Sequence, residues 1–109
     1  MTMHAGLAAG RWSAMPIAEQ LANVGSEVER AIRSREAGRL DRFEHAEARA
    51  LELFDLTARD ERWRGARRRE ILRLREEFSR LFHGDAPPDS ARGLSAYFLQ
   101  MALLARQGR

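Results

Sequence analysis

The sequence predicts an all-α protein, an up-and-down antiparallel four-helix bundle. Three observations carry that expectation. Apolar residues recur at spacings of three and four in four separate segments, the period of an amphipathic helix. No stretch alternates apolar and polar residues as a half-buried strand does. The breaks between segments are short, and short connections favour antiparallel neighbours. The 109 residues suffice for one core and one domain.

Residues 1–12 read as a flexible N-terminal tail and 13–107 as the bundle. The opening MTMHAGLAAG lacks the basic start and apolar length of a secretory signal. A first helix is expected to begin between Ser13 and Pro16, with serine as N-cap and proline tolerated in the first turn. Ile17, Leu21, Val24, Val28 and Ile32 form its stripe, and Gly38 stops it. Asp41 and Glu44 suggest a capping box for a second helix. Its inner face is Phe43, Ala46, Ala50, Leu53, Phe54 and Thr57, and it frays near Arg59. A polar turn over Asp60 to Gly65 leads to a third helix from Ala66 to Phe82, with Ile71, Leu74, Phe78, Leu81 and Phe82 inward. HGDAPPDS breaks the chain. Ser90 is the expected cap of a fourth helix, whose inward residues are Leu94, Tyr97, Phe98, Met101, Leu104 and Ala105.

All 19 basic residues are arginine. Arginine suits bidentate contacts to phosphate or carboxylate, but the absence of lysine beside many alanines also fits a GC-rich genome. Residues 59–80 hold nine arginines and five acids, whereas the rest of the chain holds ten and eleven. Within that segment Arg73 and Glu77, and Glu76 and Arg80, stand at helical ion-pair spacing. Arg62, Arg64, Arg67, Arg68 and Arg69 have no acid among them. They gather at a helix start, where the dipole favours anions, and are the expected anion- or partner-binding residues.

Gln20, Asn23 and Glu27 on the first helix and Arg49 on the second form a polar flank. Folding about Gly38 brings Glu27 near Arg49, and folding the next pair of helices brings Glu47 near Arg75. Such pairs fix register, and a polar flank is also a place for a small ligand. Ala18, Ala22 and Gly25 form a small-residue ridge open to a close neighbour. Leu99 and Leu103 point away from the fourth helix's inner face, so a homodimer interface is expected there, with coverage by the N-terminal tail as the alternative.

Without cysteine there is no disulfide, thiolate metal site or cysteine nucleophile. A di-iron bundle needs Glu-x-x-His motifs, but Arg42 precedes His45 and Arg80 precedes His83 at that spacing. No metal, cofactor or catalytic residue is expected. No apolar run approaches the ~18–20 residues of a membrane span, so a cytoplasmic protein is expected.

QLANVGSEVERAI, RALELFDLT, and LRLREEF followed by YFLQMALLAR resemble a family of small, uncharacterised prokaryotic helical-bundle proteins over roughly residues 15–106. That resemblance implies a helical fold and no particular activity. More distantly the architecture is similar to HEPN-type bundles, which include helical partners of nucleotidyltransferases and rRNA intervening-sequence proteins. HEPN ribonucleases carry Arg-x4-6-His late in the chain. Here the spacing occurs only from Arg39 to His45, at the start of the second helix.

The sequence thus points to a non-catalytic helical interaction module with a protein partner still to be identified. The first alternative is an RNA- or polyanion-binding or HEPN-like protein using Arg62–Arg69. The second is a small-ligand binder at the polar flank.

Overall fold

The structure, a computed structural model, describes residues 10–108. A single turn, α1 (Trp12–Ala14), precedes four long helices: α2 (Ile17–Glu36), α3 (Leu40–Arg59), α4 (Ala66–His83) and α5 (Ser90–Gln107). A 3-10 turn, Glu61–Trp63, links α3 to α4, and no strand occurs among the described residues. Each long helix packs on its sequence neighbour and α5 closes on α2, as an up-and-down bundle requires.

The stripes read from the sequence form the core. Leu21, Val24, Val28 and Ile32 of α2 meet Phe43, Ala46, Ala50, Leu53 and Phe54 of α3, and Ile71, Leu74, Phe78, Leu94 and Phe98 complete it. Ile17, Leu81, Phe82, Tyr97 and Met101 are partly buried against this cluster. Leu104 is a correction, because it is exposed. It lies about 80° around the helix from Leu94 at 100° per residue, beyond the strip of α5 that its neighbours cover.

The bundle also begins earlier than expected. Trp12, assigned above to the tail, is buried in the core. Gly10 and Arg11 of that segment are exposed, and residues 1–9 lie outside the described residues. Ser13 caps nothing at the start of α2, which has Pro16 as its N-cap. The tail as a cover for α5 likewise falls outside the described residues.

Gly38 ends α2 by a specific mechanism. Its φ of 73° is a conformation open to glycine and costly for other residues. It lets Arg39 N–H donate to Ser34 O at 2.9 Å and Gly38 N–H to Arg35 O at 3.1 Å, the paired bonds of a Schellman turn. That turn delivers the chain directly into α3 at Leu40, with Arg39 as N-cap and no side-chain capping bond. Asp41 therefore sits inside the first turn, and the Asp41–Glu44 capping box does not form. Ser90 is likewise the first residue of α5 rather than its cap.

Gly25 explains why α5 lies close to α2. A Cβ built there would fall 2.5 Å from Phe98 Cβ, so the small-residue ridge receives another helix of the same bundle. Gly25→Ala gains ~1 kcal/mol of helix propensity, but overpacking against the base of a buried phenylalanine costs roughly 1–3 kcal/mol. A net loss of about 1 kcal/mol is expected in urea denaturation. Gly93 on α5 has nothing within 4 Å of the corresponding point, so Gly93→Ala should instead gain ~1 kcal/mol. The same sign for both substitutions would contradict the close approach.

Candidate functional site

The arginine-rich end is organised differently from the linear reading. Arg62 belongs to the fold. Its guanidinium grips Asp60 at 2.7 Å and 3.0 Å, and its Nη2 donates to Met15 O at 2.7 Å. The same group stacks 4.4 Å from the Trp63 ring centroid. Arg68 donates to Ala58 O at 2.6 Å and Asp60 O at 3.3 Å. It thereby satisfies the Ala58 carbonyl in the last turn of α3 and shares the Asp60 carbonyl with the Trp63 backbone N–H. Arg64 pairs with Glu61 at 3.0 Å and Arg67 approaches Glu70 at 4.0 Å. Both are open pairs that contribute little to stability. Only Arg69 of the five has no partner among the described residues.

The expectation of an unneutralised cationic end is therefore corrected. The acids stand just outside the run, at Asp60, Glu61 and Glu70, and the 3-10 turn folds Asp60 back onto the Arg62 backbone and side chain. Hydrogen bonds from Arg62 lower the Asp60 carboxyl to a pKa of about 2, against the opposing effect of burial. A carboxyl depressed in the folded state contributes stability above its unfolded pKa of ~3.9. That contribution is lost as pH falls toward and through about 2. Between pH 5 and pH 2, wild type should lose on the order of 1 kcal/mol more stability than Asp60→Asn, after allowance for solvent around the guanidinium. Parallel urea-midpoint curves for the two proteins would contradict this.

The polar flank is not one site. Gln20 is completely buried and its amide is engaged within the protein. Its Nε2 donates to Trp12 O at 2.7 Å and Asp60 Oδ2 at 3.0 Å, while its Oε1 accepts from Trp63 Nε1 at 2.7 Å. Asn23 is exposed and donates to Glu19 O of its own helix at 2.8 Å. Glu27 holds Arg30 at 3.0 Å and lies 3.8 Å from Arg49, the pair expected from folding about Gly38. Gln20 thus serves the Trp12–Trp63 end, and Glu27 with Arg49 the α2–α3 seam.

The other register expectation fails. Glu47 meets His83 at 2.6 Å and Arg75 meets Asp55 at 2.9 Å. The chain reverses around Gly65, at the far end of the expected turn, so each α3 residue faces a later α4 partner. Arg73 pairs with Glu77 at 3.3 Å, whereas Arg80 donates to Asp85 O at 2.9 Å instead of meeting Glu76. Tyr97, half-buried on α5, donates to Glu70 at 2.6 Å. Burial and that carboxylate push its hydroxyl well above the usual range.

Arg39 and His45 are both exposed. Among the described residues no three His, Asp or Glu side chains come together to hold a metal ion. No helix among them is long and apolar enough to cross a membrane.

The surface that remains is the outward side of α5. Leu99 is 61% exposed and Leu103 42%. Beside them α2 and α5 enclose an open groove of about 840 Å³. Gly25 and Ala22 on α2 and Ala96 and Ala102 on α5 line its floor, and arginines stand at its margins. Leu99 and the ridge residues Ala22 and Gly25 border this one groove, which their separate places in the sequence do not reveal. No protein-family model, no curated protein and no solved structure matches this chain.

Proposed function

We propose that the protein is a non-catalytic helical-bundle interaction module working in the cytoplasm, with the outward face of α5 as its working surface. The observation that supports this most is the exposure of Leu99 and Leu103 on one helix face. Leu40 and Leu72 are exposed too, but they are isolated on other helices, as single surface leucines often are. Leu99 and Leu103 stand one turn apart and form a continuous apolar strip. Such strips commonly mark contacts with another protein. The occupant is a protein helix, from a partner or from a second copy in a homodimer.

The polyanion reading has less support, since four of its five arginines are partnered. The small-ligand reading has less still, since Gln20 is fully engaged and distant in role from Glu27 and Arg49. The test is a photo-crosslinking residue placed in living cells at Leu99, at Leu103 and, as a control, at Leu72. One defined adduct, identified by its peptides, is expected at the first two positions and not at the third. Clean protein at both α5 positions would sink the proposal.

A further inference from the structure

The groove beside Leu99 has a charge as well as a shape. Arg33 of α2 and Arg92 and Arg106 of α5 line it, and none has a hydrogen-bond or ion-pair partner among the described residues. Arg30 also lines the groove but is held by Glu27 at 3.0 Å. Glu29 is the single acid of the lining. Three free guanidinium groups thus face one carboxylate around a floor of small residues with an exposed leucine. The antiparallel run of α2 and α5, fixed by Gly25 against Phe98, puts Arg33 and Arg92 toward one end. Arg106 stands at the other, about 21 Å along α5 at 1.5 Å per residue.

We infer that the α2–α5 groove binds an acidic amphipathic helix of a partner protein. Its apolar face packs on Leu99 and the small-residue floor, and its carboxylates meet Arg33, Arg92 and Arg106. This rests on the reading of α5 as the interaction face and names the chemistry of the partner. Helices laid into grooves are held by apolar anchors at three- and four-residue spacing. Flanking charge sets which partner is accepted. A second copy fits less well. In a two-fold contact the same patch meets itself, so three free arginines would face three more with one acid on each side. Nucleic acid fits less well also, since no aromatic ring for base stacking is exposed in the groove and its floor is apolar.

The test uses the purified full chain and two fluorescent synthetic peptides of about 18 residues, ~27 Å as helices. Both carry leucine and alanine on one face, and one has glutamate and the other lysine at every remaining position. The glutamate peptide should bind at least about tenfold more tightly. Arg33→Gln, Arg92→Gln and Arg106→Gln together should remove most of that preference and leave the helical circular dichroism unchanged. Arg64→Gln with Arg69→Gln should change it less than about twofold. Leu99→Glu should abolish binding.

Equal binding of the two peptides, or no binding of either, overturns the inference. So does a single-stranded RNA of matched charge that binds as tightly through the same arginines. A wild-type dimer in sedimentation that Leu99→Glu dissociates would assign the groove to a second copy. The partner inference would then fall while the interaction-module reading stood. A monomer that binds neither peptide and gives no crosslink at Leu99 would remove both.

Discussion

Phe54→Ala should cost about 3–5 kcal/mol of folding stability, the range for a buried phenylalanine cut back to alanine. Phe54 is completely buried on α3. Its ring lies 5.9 Å from Phe78 of α4 and 6.1 Å from Phe98 of α5, so one side chain joins three helices. The alternative is collapse of the site onto the gap, which would lower the cost. Collapse is hard here because α4 is held off the bundle by large side chains, Ile71, Leu74 and Phe78. It cannot move in without displacing all of them. Leu72→Ala, at an exposed position on α4, should stay within ~0.5 kcal/mol. Urea denaturation of the two variants beside wild type measures both. A loss below ~1 kcal/mol at Phe54 would mean that the three-ring contact is not the centre of the core.

The inner faces were legible because burial on a helix repeats every 3.6 residues, and Phe43, Leu53, Phe54, Ile71 and Phe78 obey that repeat. Leu104 broke it only at the margin of the strip. Helix ends were less legible, because capping depends on backbone angles that residue types only suggest. Gly38 could be read as a stop, but not the Schellman turn that moves the start of α3 to Leu40 and so disqualifies Asp41 as a cap. Register follows the same logic. Glu27 found Arg49 because the reversal at Gly38 is tight. Glu47 missed Arg75 because the 3-10 turn at Glu61–Trp63 moves the reversal to Gly65.

Site residues were legible by type and not by partner. A run of arginines announces charge, but whether that charge is free depends on what the fold places beside it. Arg62 lies two residues from Asp60 in sequence, yet its bond to Met15 O spans 47 residues. No local pattern encodes that contact. Arg33, Arg92 and Arg106 looked unremarkable because they are dispersed along two helices. The antiparallel packing of α2 on α5 is what gathers them around one groove.

Trp12→Ala should also cost about 3–5 kcal/mol, the range for a buried tryptophan truncated to alanine. Trp12 is 3% exposed, although it precedes the first long helix. Its Nε1 donates to Thr57 Oγ1 at 3.2 Å, and that hydroxyl donates to Leu53 O at 2.7 Å. Its backbone oxygen accepts from the buried Gln20 amide at 2.7 Å. The indole therefore supplies apolar burial and a hydrogen bond to Thr57, while the Trp12 carbonyl closes a polar chain running through Gln20 to Asp60 and Trp63. Trp12→Phe separates these contributions. It keeps most of the burial and removes the indole hydrogen bond, so it should cost only about 1–2 kcal/mol. Gln20→Leu should be worse than its volume suggests, because the Trp63 indole N–H loses its partner, at roughly 1–3 kcal/mol for a buried group left unpaired, and the Trp12 carbonyl keeps only the Met15 N–H. Because only two tryptophans are present, fluorescence of Trp63→Phe reports Trp12 alone. Its emission should shift on unfolding at the same urea concentration as the helical circular dichroism. Separate transitions, or a Trp12→Ala loss below ~1 kcal/mol, would mean that the turn at Trp12 is an appendage. Coincident transitions with the full loss would make it the fifth piece of one cooperative core.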